Sequence, residues 1–145
     1  MIALIQRVSE ASVSVDKQVI GKIGRGLLAF VAIHRDDEDY DITRLAERVM
    51  TYRVFPDAAG RMNRSVEDIG GGLLLVPQFT LAADTRKGTR ASFTKGADPE
   101  KASAYFDQLV ACCRERLTCV EVGQFSADMQ IQLVNDGPVT FWLES

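Results

Sequence analysis

The chain has 145 residues, of which 46% are hydrophobic and 26% charged, with a formal net charge of −3. A chain of this length buries roughly 70% of its unfolded surface, so it reads as one domain, residues 1–145, whose core needs no staples. The charge excludes a general polycation, and a nucleic-acid partner has to be met by a local basic patch.

Ile2 to Val8 reads as a strand, and Ala11 to Val15 alternates in the same sense. Asp16-Lys17 marks a turn, with Val19 to Ile23 as the returning hairpin partner. After the break at Gly24-Arg25-Gly26, Leu27 to Ile33 is continuously apolar, the pattern of a central strand covered on both faces. The period then changes. Asp36-Asp37-Glu38-Asp39 puts acid where a helix start favours it, and Ile42, Leu45, Ala46, Val49 and Met50 follow helical spacing. A short strand is expected over Tyr52 to Phe55, before the turn 56–60. Beyond Gly70-Gly71-Gly72, Leu73 to Val76 and Gln78 to Ala82 form strand-like runs around Pro77. The second run puts Gln78 and Thr80 on one face and Phe79 and Leu81 on the other. A proline inside such a run implies an edge or a bulge.

Residues 84–97 read as a loop. Asp98 caps a second helix with Pro99 at its first position, and Ala102, Tyr105, Phe106, Leu109, Val110, Cys113 and Leu117 give that helix one apolar face. Three strands finish the chain, at about 119–123, 129–134 and 138–143. The fold class is α+β, an antiparallel, barrel-like β core with two main helices packed on it.

The usual catalytic sets are missing. His34 is the sole histidine and sits at a strand end before Arg35-Asp36-Asp37. Cys112, Cys113 and Cys119 are odd in number and lie in apolar elements, which fits buried thiols in a reducing compartment rather than disulfides. No Cys/His spacing suits a metal. Gly70-Gly71-Gly72 precedes a strand, not a helix, so it is no phosphate cradle. Among the acids only Asp128 and Asp136 have neighbours that suit a working carboxyl, and either can equally be a turn former. No apolar run approaches the ~20 residues of a membrane span, and Met1-Ile2-Ala3-Leu4-Ile5 runs straight into Gln6-Arg7 without a leader pattern. A cytoplasmic address is expected.

Two segments and one loop carry chemistry. Asn135-Asp136-Gly137-Pro138-Val139-Thr140 sets a Gly-Pro bond, which can be cis at modest cost, beside an apolar strand. Pro77-Gln78-Phe79-Thr80-Leu81 presents polar side chains from a rigid element. From Thr85 to Ala97 the loop holds Arg86, Lys87, Arg90 and Lys95 without an acid, with hydroxyls at Thr89, Ser92 and Thr94 and a ring at Phe93. Such a loop can neutralise phosphates, or it can be a solvated surface.

Taken in order, these segments resemble the D-aminoacyl-tRNA deacylases of the common bacterial and eukaryotic type. The resemblance runs through Gln6-Arg7-Val8, Met62-Asn63, Gln78-Phe79-Thr80-Leu81, Ala83-Asp84-Thr85-Arg86-Lys87-Gly88, Ser92-Phe93, Ala127-Asp128-Met129 and Asn135 to Thr140, and covers essentially the whole chain. It implies a homodimer with both active sites at the subunit interface. Gly137-Pro138, cis in the family, would reach from one subunit into the other's pocket, while Gln78, Phe79 and Thr80 would line the reaction centre. No metal or organic cofactor is implied, nor a membrane or DNA partner. The implied reaction is hydrolysis of the ester between a D-amino acid and the terminal adenosine of tRNA, with charged glycine also within reach.

On that resemblance, Phe79's amide and Thr80 would stabilise an oxyanion, with Gln78 orienting ester or water and the substrate's 2′-hydroxyl assisting; Thr80 as a covalent nucleophile is the competing version. Gly137 and Pro138 would capture the substrate amine and exclude the L side chain by clash. Phe125, Ala127 and Met129 would meet the adenosine, or pack in the core. Arg7, Arg86, Lys87, Arg90 and Lys95 would bind the tRNA backbone or gate the pocket. Two departures stand out. Many members have Ser at Pro77, and a related branch of relaxed chirality has Pro-Gln there; Ala91 stands where the family often has Pro. A relaxed deacylase and a non-catalytic nucleic-acid-binding module are the alternative readings.

Overall fold

Strand β1 (Ile2–Val15) is the spine of the fold, and the computed structural model describes all of residues 1–145 around it. Its first half pairs antiparallel with β3 (Gly26–Ala32), its second half with β2 (Gln18–Ile23), and its other edge along most of its length with β8 (Gln130–Glu144). Asp16 and Lys17 both take left-handed backbone angles (φ 48° and 65°) at the tight turn into β2, the geometry that matches the twist of a two-residue hairpin.

The sheet continues β2-β1-β3-β6-β7, with β6 at Gly72–Pro77 and β7 at Val120–Val122. The barrel-like α+β class holds, but the sheet is mixed: β3–β6 and β6–β7 are parallel pairs. Parallel neighbours need long crossovers, and the two helices supply them. Helix α1 (Asp39–Thr51) lies between β3 and β6, and α2 (Pro99–Arg116) between β6 and β7. The sheet curls until β2 meets β7. A β-carbon on Gly21 would lie 3.2 Å from the Val122 carbonyl oxygen, so glycine permits this approach.

Alternate residues of the buried strands serve two cores. Leu27, Ala29, Val31, Leu73 and Leu75 pack with Ile42, Leu45, Val49, Phe106, Leu109 and Cys113 under the helices. Leu28, Leu74 and Val76 join Val8, Val13 and Ile23 in the curl of the sheet. This two-sided burial is why β3 reads as one apolar run. Asp98 accepts from the Lys101 amide at 3.0 Å and Pro99 follows it, as the sequence predicts for the α2 start. Arg116 pairs with Glu67 at 2.6 Å and with Glu47, tying α2 to α1 and to the turn before β6.

Two expected elements differ. The strand expected over Tyr52 to Phe55 is only β4 (Phe55–Pro56), paired with β5 (Met62–Arg64). The two terminal strands are one, β8, whose register breaks where residues 136–139 bulge out. Pro77, the last residue of β6, has a partner strand on one side only: it faces Val31 of β3, while the β6–β7 pairs stop at Leu75, so it stands at a local edge where its missing N–H costs no rung.

Candidate active site

Parallel strands β3 and β6 end on the same side, and open sheets commonly bind ligands beyond such carboxyl ends. After Pro77 the Gln78 amide makes one more rung to the Val31 carbonyl (2.7 Å), and the chain then turns into a 3₁₀ helix, Phe79–Ala82. The strand expected over Gln78 to Ala82 is therefore a turn. Alternation of polar and apolar residues fits both, and beyond the Gln78 rung no neighbouring strand continues the ladder. Leu81 donates to the Gln78 carbonyl (3.2 Å), so the Phe79 and Thr80 amides head the turn without an intrahelical acceptor.

The side chains of Gln78 and Thr80 do come together: Gln78 Nε2 donates to Thr80 Oγ1 at 2.6 Å. Phe79 is 65% exposed and leans on Phe93, ring centroids 5.2 Å apart. Behind the turn lies a largely apolar cavity of about 250 Å³, walled by Val31 of β3, Ile33 just beyond that strand, Pro77, Phe79, the start of α2 (Pro99) and Phe125. Of the three residues expected at the adenosine, only Phe125 lines this cavity. Ala127 closes a turn onto the Gln124 carbonyl (3.3 Å), and Met129 packs against the core inside the curl, its sulfur accepting from the Gln124 amide at 3.4 Å.

Gly137 and Pro138 stand elsewhere. They lie exposed in the β8 bulge opposite Arg7, joined by a cis peptide, with Gly137 at φ 124°. Asn135 Nδ2 braces the bulge by donating to the Arg7 and Val139 carbonyls (3.0 and 3.1 Å). Arg7, grouped by the sequence with the tRNA-facing cations, has a side chain only 14% exposed. It donates to the Asp136 and Val54 carbonyls at 3.1 and 2.7 Å and pairs with the Asp136 carboxylate at 3.3 Å. On β3, Arg7 faces Leu27 whereas the Gln78 rung is at Val31. The wedge and the turn are thus separated by roughly 13 Å along the strands, and by about 14 Å across three strand spacings.

The basic loop flanks the turn. Arg86, Lys87 and Arg90 border an open hollow of about 540 Å³ together with Asp84 and Ser92. Lys95 reaches Asp84 at 3.4 Å. Asp84 escaped the sequence reading because it precedes the acid-free stretch by one residue; its signal was to be the only carboxylate beside four cations. The bracing by Asn135 and the Phe79–Phe93 contact were likewise unread, although both residues stood in noted motifs.

The arrangement offers main-chain donors rather than a base. The one hydrogen bond to Thr80 Oγ1 within the turn comes from a carboxamide, and neither atom of a carboxamide is a base. Burial pushes the Cys113 thiol up to about 12, which denies it thiolate character. No three His, Cys, Asp or Glu side chains converge as a metal would need.

The sequence profile of the D-Tyr-tRNA(Tyr) deacylase family matches residues 4–144. The chain belongs to this family. It is 64% identical over 145 residues to the D-aminoacyl-tRNA deacylase of Alkalilimnicola ehrlichii, covering 100% of this chain and 97% of that protein. The D-aminoacyl-tRNA deacylase of Klebsiella pneumoniae (strain 342) is 55% identical over 144 residues, 99% of each chain. Among solved structures, the c-Myc DNA Unwinding Element Binding Protein superposes with a TM-score of 0.95 at 34% identity, covering 100% of this chain and 99% of that one. A probable eukaryotic D-amino acid tRNA deacylase superposes at 0.87 with 16% identity over 99% and 98% of the two chains, a likeness of fold alone.

Proposed function

We propose that this family member hydrolyses the ester of D-aminoacyl-tRNA, releasing the free D-amino acid and tRNA, and that glycyl-tRNA is also a substrate. The supporting observation is the amide-headed turn at the mouth of an apolar cavity, in a chain matched to the deacylase family from residue 4 to residue 144. At about 250 Å³ the cavity is smaller than the roughly 300–1,000 Å³ of sites for drug-sized ligands, which suits a single base.

Water adds to the ester carbonyl carbon, the Phe79 amide with Thr80 nearby holds the oxyanion, and Gln78 orients ester or water. The carbon–oxygen bond to the ribose then breaks, and the departing oxygen takes a proton, with the neighbouring 2′-hydroxyl assisting. An activated ester asks for little more than positioning and a few donors, worth several kcal/mol together.

Selection of the D form is assigned to Gly137 and Pro138 of a second copy of the chain. Their carbonyls take the substrate amine, and their bulk collides with an L side chain while a D side chain points outward, which is how a site tolerates many side chains yet rejects one hand. The separation of this wedge from the turn in its own chain favours a homodimer. So does the unusual exposure of Phe79, Val134 and Trp142 (65%, 51% and 49%). A cytoplasmic location suits a tRNA substrate, and no helix is long and apolar enough to cross a membrane.

Two other readings have an observation behind them. Pro77 lines the cavity and favours relaxed chirality. The likeness to the c-Myc DNA Unwinding Element Binding Protein, together with the basic loop, favours nucleic-acid binding without catalysis. Incubating the protein with D-Tyr-tRNA, L-Tyr-tRNA and Gly-tRNA and counting the amino acid released separates all three. Release from the D and glycyl forms alone is expected. Release from the L form at a similar rate supports relaxed chirality, and release from none removes the deacylase reading.

A further inference from the structure

The four cations of the basic loop are not equivalent. Asp84 accepts Arg86 Nε at 2.9 Å, Arg86 Nη2, and the Arg86 amide at 3.1 Å, and Lys95 Nζ lies 3.4 Å from the same carboxylate. Its backbone also exchanges two hydrogen bonds with Ser92, at 2.7 and 3.0 Å. One residue thereby fastens the loop at positions 86, 92 and 95. Only 19% of its side chain is exposed. Lys87 and Arg90 join none of the chain's ion pairs. The loop's far end is held by the segment that follows β3: the Arg35 amide donates to the Lys95 carbonyl and the Ala97 amide to the Ile33 carbonyl, both at 3.0 Å. Phe93, between these fastenings, is the residue that touches Phe79.

We infer that Asp84 is a positioning residue which withdraws Arg86 and Lys95 from phosphate binding to build the loop, leaves Lys87 and Arg90 to meet the phosphates next to the acylated nucleotide, and seats Phe93 against the Phe79 turn. The choice of substrate rests on the deacylase reading; the division of labour among the cations does not. The Arg86 side chain, then the Arg86 amide, hold the Asp84 carboxyl well below the usual carboxylate range, so the clamp is ionised throughout neutral pH.

Three variants of the full-length protein test it: K87A/R90A, R86Q/K95Q and D84N. Each is read by the salt dependence of KM for D-Tyr-tRNA, by kcat, and by hydrogen exchange at the Ser92 amide. K87A/R90A is expected to flatten the slope of log KM against log salt by about 1.4, two single-strand phosphates' worth, and to raise KM roughly tenfold. Its Ser92 exchange should match wild type. R86Q/K95Q should leave the slope within about 0.3 of wild type, speed Ser92 exchange roughly tenfold and lower kcat roughly fivefold, as a mispositioned reaction centre does.

D84N should reproduce that kcat loss and faster exchange, with a slope as steep as wild type or steeper, because two cations are set free. An Asp84 that merely repelled phosphate would instead give D84N a lower KM at unchanged kcat. That result, or wild-type exchange at Ser92 in D84N, overturns the inference, as does a slope flattened equally by both double variants. If the wild type releases no D-tyrosine, the deacylase reading has failed. The salt slope is then taken from fluorescence-detected binding of uncharged tRNA, and the same comparison of variants decides the inference.

Discussion

Arg7 Nη2 lies 2.7 Å from the point where a β-carbon on Gly137 would sit. Val139 Cγ2 is 2.8 Å from the same point, and Gly137 holds φ at 124°, a conformation that L residues rarely adopt. The guanidinium cannot swing away freely, since it is engaged by the Val54 and Asp136 carbonyls. Gly137→Ala is expected to cost about 1–3 kcal/mol of stability and to displace the wedge. Activity on D-Tyr-tRNA should fall at least roughly tenfold, the scale on which small misplacements in a reaction geometry act. Thermal melting and kcat/KM on the D and L substrates check this; wild-type discrimination between the two hands in Gly137→Ala would count against the wedge.

The same contact assigns Arg7 a test of its own. Arg7→Ala leaves the Val54 carbonyl without its donor and frees the bulge at Asp136, a loss of about 1–3 kcal/mol for an unsatisfied half-buried group. If Arg7 supports the wedge, kcat/KM falls while the salt dependence of KM stays that of wild type. A slope flattened by about 0.7 would return Arg7 to the tRNA backbone.

The helices and the spine of the sheet were legible because their burial is one-sided or two-sided along a regular period. The stripe of Ile42, Leu45, Val49 and Met50 could bury itself only as a helix face, and Asp98-Pro99 could start only one. Leu27 to Ile33 reads as a strand covered on both faces, the signature of parallel pairing, and Leu73 to Val76 is as fully buried in the fold, yet the core expected was antiparallel. Strand direction depends on the crossovers through α1 and α2, which no local pattern records. The turn at Phe79 was lost for a local reason: Gln-Phe-Thr-Leu alternates equally well in a strand and in an exposed turn. The wedge was legible because Gly-Pro is rare in a strand and carries its own geometry. Arg7 was not, because a cation in mid-strand looks the same whether it faces solvent or a carbonyl 129 positions away in sequence.

Asp41 predicts a particular dependence of stability on pH. It is buried in the first turn of α1, where it accepts from the Glu38 amide at 2.9 Å in a capping box. Burial pushes its carboxyl pKa up, but the Glu38 amide, the Ser145 hydroxyl, the Met1 ammonium and Arg44 together outweigh it, so the carboxyl titrates below its ordinary value. A depressed folded value means the contribution is complete above the unfolded pKa of about 3.9 and is lost as pH falls through the folded value. Asp41→Asn should cost about 1 kcal/mol at pH 7, or roughly 3 °C in Tm for a chain of this size. The gap to wild type should stay constant from pH 7 to about 5 and close as the pH drops below about 4. A gap that widened in acid would contradict the assignment.

Thr80 separates the two chemistries open to the turn. As a nucleophile it would have to lose its proton to a base, and the group bonded to its oxygen is the Gln78 carboxamide at 2.6 Å, a donor with no basic atom. Water attack under main-chain donors therefore predicts that Thr80→Ala keeps activity within about fivefold of wild type, while Gln78→Ala, which loses the group that orients ester or water, falls further, by roughly tenfold or more. Single-turnover hydrolysis of D-Tyr-tRNA by both variants measures the difference. Complete loss in Thr80→Ala with recovery in Thr80→Ser, or an acyl group trapped on Thr80, would establish the covalent route instead.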